Sequence, residues 1–188
     1  MSKTVAWQVS DGEGYSVIVF HHHGLAAKRK GANEFGADFS DVDIKRAPEF
    51  DQFANVGKIP KEAMIQAGWW FECQQCESRV DSDSEAPVFV DDIVFCCAEC
   101  HDAHLAEIKQ RNDKFEEFKA RVIAAKPYLN FEFRGGHPWC YDTGTANFTG
   151  GKYPLIADTD RNTGEVVFRI TNSDKPAYDA FLTQIGAA

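Results

Sequence analysis

The sequence predicts an α+β protein built from three parts. These are a small N-terminal β-β-α-β unit, a central cysteine-bearing segment leading into a long helix, and a C-terminal β-hairpin followed by a helix. Three observations carry this expectation. Apolar and polar residues alternate at both ends of the chain, apolar residues between positions 105 and 122 recur at helical spacing, and five of the six cysteines fall in two tight clusters.

Thr4 to Ser10 alternates, Asp11-Gly12-Glu13-Gly14 is turn chemistry, and Tyr15 to Phe20 is a β-branched apolar run, so a hairpin is expected first. Gly24 to Lys30 favours a short basic helix. Phe39 to Arg46, with Val42 and Ile44 set against Asp41, Asp43 and Lys45, reads as a third strand. Pro48 to Phe53 and Pro60 to Ala67 each open with proline, which suits a helix's first turn. They lead to Trp69-Trp70-Phe71, expected to pack in a core. Val88 to Val90 and Ile93 to Phe95 flank Asp91-Asp92 as a second hairpin. Leu105, Ile108, Phe115, Phe118 and Val122 make one helical stripe that Pro127 ends. Tyr128 to Phe133 alternates as a strand. Leu155 to Ala157 and Val166 to Ile170 form the last hairpin, and a helix capped by Ser173 or Asp174 runs to Ile185. Boundaries at Gly68 and Pro127 divide the chain into residues 1–68, 69–126 and 127–188.

The longest apolar stretches, such as Val17 to Phe20, fall far short of the ~20 residues a membrane helix needs. The N-terminus lacks the apolar core of a signal peptide, so a reducing cytoplasm and free thiols are expected. The net charge is −9, and residues 71 to 126 hold 7 basic against 13 acidic groups. Nucleic-acid affinity comes largely from neutralising phosphates, so this acidic middle is ill suited to it. Asp81, Asp83, Glu85, Asp91 and Asp92 instead suggest a negative platform for a basic partner.

Cys73-Gln74-Gln75-Cys76 places two thiols on one turn, and Phe95-Cys96-Cys97-Ala98-Glu99-Cys100 follows about twenty residues later at the start of the long helix. Paired thiolates at these spacings converge on one tetrahedral metal, which points to Zn2+. The helix's positive end favours the second pair. Cys73, Cys76 and Cys100 are candidate ligands, and the fourth is Cys96 or Cys97. Four sulfurs leave no open coordination position, so a structural metal is expected. His101 and His104, three apart, are expected to be surface or packing side chains.

The order knuckle, hairpin, helix-borne pair resembles a treble-clef zinc finger. The segment Phe95 to Cys100 resembles the Phe-Cys-Ser-x-x-Cys motif of TRASH and other FCS-type fingers, with Cys97 in the serine's place. That resemblance implies Cys73, Cys76, Cys96 and Cys100 as the ligands. Treble clefs also occur in His-Me finger nucleases, but Ala86 to Phe95 contains no histidine to act as general base. Ala6 to Phe20 and Asp41 to Asp51 resemble the opening of small phage and prophage proteins. This implies a protein made in an infected bacterial cytoplasm, acting on a host macromolecule.

Three further constellations are weaker. His21-His22-His23 ends a strand. Asp158, Asp160 and Asn162 mimic the start of a calcium loop, but Thr163 and Arg169 stand where that loop needs Gly and Glu, so a hairpin turn is expected. His137 and Cys140 could act as base and nucleophile, yet no orienting acid accompanies them. The expected function is therefore non-enzymatic binding of a host protein. One alternative is a nucleic-acid-associated protein using Lys28, Arg29, Lys30, Lys45 and Arg46 as a basic edge; another is an enzyme around Cys140.

Overall fold

Alternation near the N-terminus produces an antiparallel hairpin of β1 (Val5–Ser10) and β2 (Ser16–His21), with Val9 opposite Val17. Its turn is closed by Asp11, whose Oδ1 accepts the backbone N–H groups of Glu13 and Tyr15 at 2.9 and 3.0 Å. α1 (Gly24–Phe35) follows, and β3 (Asp43–Arg46) then pairs with the free side of β1, giving the order β2-β1-β3. The computed structural model describes residues 3–148 and 150–187.

The helix α1 runs five residues beyond the expected Lys30, through Gly31, and β3 is shorter than the expected Phe39 to Arg46. The longer helix has a physical reason. Gly31 is buried against the sheet, where an added Cβ would lie 2.6 Å from Val9 Cβ, so glycine here permits close packing and does not end the helix. Gly36, at φ 67°, is the left-handed residue that ends it. Val9, Val19, Ala27, Ala32 and Val42 form the core between helix and sheet.

A 3-10 helix (Pro48–Phe53) and α2 (Lys61–Gln66) come next. Phe50 packs with Ala6 and Ala47, and Trp69 meets Phe50 edge to face. Trp70 departs from the expected core packing: it is 48% exposed, with the Arg79 guanidinium over its ring. The strand pairs β4 (Phe71–Glu72) with β5 (Arg79–Val80), and β6 (Val88–Val90) with β7 (Ile93–Phe95), carry the cysteine region. Together with the long α3 (Ala98–Ala125), they complete the mixed α+β content of the middle of the chain.

The chain divides into two compact units, Met1–Asp102 and Ala103–Ala188, with the boundary inside the first turns of α3. All of the net charge lies in the first unit, which holds 9 basic and 18 acidic side chains, whereas the second holds 11 of each. The second unit contains a four-stranded antiparallel meander in the order β11-β10-β9-β8. Its strands are β8 (Glu132–Arg134), β9 (Thr143–Ala146), β10 (Leu155–Thr159) and β11 (Val166–Arg169). Phe118 and Val122 of α3 are buried with Ala157, whereas Leu105, expected in the same stripe, is half exposed.

α4 (Lys175–Gln184) closes the unit. Asp174 occupies its N-cap position, but no side-chain cap forms. The buried carboxylate accepts the Tyr153 N–H at 2.6 Å instead, tying the helix start to the loop before β10. Among the described residues no helix is long and apolar enough to cross a membrane.

Candidate metal centre

Two short hairpins and a helix start bring the cysteines together. Cys73 and Cys76 sit in the connection between β4 and β5, Cys96 directly follows β7, and Cys100 lies in the first turn of α3. The connection is held by its own backbone. Cys73 N–H donates to Ser78 O at 2.8 Å, Glu77 N–H to Cys73 O at 2.9 Å, and Gln74 N–H reaches across to Val94 O at 2.9 Å. The tight return requires Glu77 at φ 61°, a left-handed conformation uncommon for a residue with a side chain. Beneath it Cys73, Val80, Val94 and Phe95 are buried with Ile65.

The Sγ atoms of Cys73, Cys76, Cys96 and Cys100 all lie within 4.8 Å of one another, and together they could hold a metal ion. Cys76 and Cys96 are 3.6 Å apart, Cys96 and Cys100 3.5 Å. Cys97 Sγ lies 3.7 Å from Cys96 Sγ but is not one of the mutually adjacent four.

The electrostatics of the group are divided. The Ser78 hydroxyl, 2.9 Å from Cys76 Sγ, and the Ser78 N–H bring the Cys76 thiol down to about 6. Burial opposes ionisation of Cys73, but the N–H groups of Cys96, Cys76 and Gln75 outweigh it and lower that thiol too. Cys100 is pushed well up, by Cys96 first and then Cys76. Sulfurs this close can all be thiolates only around a cation. Ser78 is a contributor that cysteine spacing does not reveal; the available signal is a hydroxyl residue two positions after the second knuckle cysteine.

The other candidate residues are dispersed. His101 Nδ1 is 3.1 Å from Asp102 Oδ1 and its ring meets Phe95 edge to face; neither it nor His104 belongs to the thiol group. His21 and His22 stack on each other at the end of β2. Of the acidic residues, Asp81 is occupied by Arg79 at 2.8 Å and by the Asp83 N–H, and Asp92 pairs with Lys58 at 2.9 Å. Asp83 and Glu85 are exposed and make no side-chain hydrogen bond or ion pair among the described residues; Asp91 is exposed and within electrostatic reach of Lys58. The basic edge is likewise divided: Arg46 pairs with Asp51 and donates to Ala6 O, while Lys28 and Arg29 lie over the Phe39 ring.

Cys140 is exposed, and its N–H donates to His137 O, a turn contact between backbones. Asp160 Oδ1 accepts the N–H groups of Asn162 and Thr163 at 2.8 and 3.0 Å, so the calcium-like run is a self-capped turn. In comparison with known proteins, the chain matches no family model, no curated protein and no solved structure, which leaves the chemistry of four adjacent thiols to carry the functional conclusion.

Proposed function

We propose that the chain is a zinc-stabilised, non-enzymatic binding protein whose acidic first unit engages a basic surface on another protein. The mutual closeness of four thiols is the observation that carries this reading. Zinc–sulfur bonds of about 2.3 Å in a tetrahedron place sulfurs about 3.8 Å apart, near the 3.5 and 3.6 Å separations at Cys96. Four protein sulfurs fill the tetrahedron, so the ion would brace the two hairpins and leave no position for a substrate. The succession of knuckle, hairpin and helix-borne cysteine supports a treble-clef finger of the FCS type. The exposed carboxylates of Asp83, Glu85 and Asp91, in a unit with twice as many acidic as basic groups, support a basic partner. The phage-like N-terminal run favours a host protein in that role.

The test has two stages. Elemental analysis of the purified protein should find one zinc per chain; Cys73→Ser and Cys96→Ser should lose it and Cys97→Ser keep it. A metal-free protein that melts at the same temperature with and without added zinc would overturn the structural role. Replacing Asp83, Glu85 and Asp91 by lysine should abolish salt-sensitive capture of protein partners while zinc content is kept and the protein stays folded by circular dichroism. Capture that survives the triple change would remove the acidic surface from the proposal.

A further inference from the structure

The second unit carries an open cleft of about 860 Å³, within the size range of small-molecule sites, between α3, the 137–143 segment and the β10–β11 turn. Its walls include Arg111, His137, Tyr141, Arg161, Asn162 and Arg169. Three carboxylates also line it, each with one oxygen engaged, and Asp158 Oδ1 is buried without a hydrogen-bond partner. Asp142 Oδ1 accepts the Gly136 N–H at 3.0 Å, Asp160 caps its own turn, and Asp158 Oδ2 pairs with Arg169 Nε at 3.1 Å. The guanidinium groups of Arg111 and Arg161 have no carboxylate partner among the described residues. Arg161 instead lies 4.5 Å over the ring of Tyr141, which is 72% exposed. The Trp139 N–H is directed at His137 Nδ1 at 3.4 Å. The lining balances three arginines with three aspartates, but it sets two guanidinium groups free of carboxylate partners beside an exposed aromatic ring, with the Asn162 side chain supplying both a donor and an acceptor.

We propose that this cleft binds a nucleoside monophosphate, its phosphate held by Arg111 and Arg161 and its base set against Tyr141 and Asn162. Guanidinium groups match phosphate oxygens in pairs, and aromatic and guanidinium planes stack on bases. A mononucleotide is favoured over a strand because the unit that carries the cleft holds 11 basic and 11 acidic side chains, without the basic excess that neutralises a run of phosphates. This inference does not depend on the thiol group or the acidic surface.

Isothermal titration of the full chain with AMP, GMP, CMP, UMP and inorganic phosphate tests it. At least one nucleotide should bind with 1:1 stoichiometry and more tightly than phosphate. Arg111→Ala and Arg161→Ala should each weaken it at least tenfold, with unchanged circular dichroism. Tyr141→Ala should weaken the nucleotide and leave phosphate unaffected, and Lys175→Ala, outside the cleft lining, should change neither. Absence of saturable binding by all four nucleotides at millimolar concentration would overturn the proposal. So would equal affinity for phosphate and nucleotide, or indifference to both arginine changes. A single-stranded oligonucleotide that binds tenfold tighter than every mononucleotide would replace it with a strand-binding groove.

Discussion

At the scale of single residues, the most informative positions are those where one residue fixes the course of the backbone around it. Asp51 is one. It accepts the Ala6 N–H at 2.7 Å and pairs with Arg46 at 2.8 Å, fastening the 3-10 helix to the edge of β1. The Arg46 hydrogen bond, and then the Ala6 N–H, hold its carboxyl below the ordinary value of 3.8. A lowered folded value means that the stabilisation is present above pH 3.8 and is lost as pH falls through the lowered value. Asp51→Asn should therefore melt earlier than wild type at neutral pH, with the gap closing as thermal melts are taken into the acid limb. Glu77 is another. Its left-handed backbone costs about 1–2 kcal/mol for a residue with a Cβ, and more for a β-branched one. Glu77→Val should thus be less stable than Glu77→Gly by at least that amount in urea unfolding of the metal-loaded protein. Cys73, Cys76 and Cys100 were legible as a converging set because thiol spacing is a strong local signal. Spacing alone left Cys96 and Cys97 open, since adjacent residues differ only in which way their side chains turn; the resemblance to the Phe-Cys-Ser motif pointed to Cys96, the one found among the four adjacent thiols.

At the scale of elements, legibility followed periodicity. The alternation of Thr4 to Ser10 and the helical spacing of Phe115, Phe118 and Val122 located β1 and α3. Thr143-Gly144-Thr145-Ala146 has no large apolar residue and was missed, yet it forms β9 in the middle of the meander. Its glycine is the reason: a Cβ at Gly144 would meet the Phe133 ring at 3.0 Å and the Phe131 ring at 3.2 Å, so neighbouring aromatics cover the strand that lacks its own side chains. β4 and β5 are two residues each, too short for any alternation to register. Gly31 supplies a test of close packing. Alanine is the better helix former by about 1 kcal/mol, but its methyl group would collide with Val9, and overpacking typically costs about 1–3 kcal/mol. Gly31→Ala should accordingly be destabilising in urea melts, and should cost less in a Val9→Ala background, where the opposing side chain has been cut back.

At the scale of the whole molecule, the acidic excess is confined to Met1–Asp102, while Ala103–Ala188 is balanced. Composition alone reports −9 for the chain; it takes the division into units to show that one of them bears all of it. A four-thiolate zinc centre would add two further negative charges to that unit. Self-repulsion of this kind weakens a folded state, and dissolved ions screen it over a Debye length of about 8–10 Å near physiological strength. The first unit should gain thermal stability as potassium chloride is raised, with the second little changed, which can be followed residue by residue through amide hydrogen exchange. The same screening would weaken attraction between the exposed carboxylates and the proposed basic partner. One variable then acts in opposite directions on folding and on association, so occupancy of a complex should pass through a maximum at intermediate ionic strength. On the proposed reading, the confined charge would make the protein's working range a property of its surrounding electrolyte, as in halophilic proteins, whose acidic surfaces lose stability when salt is withdrawn.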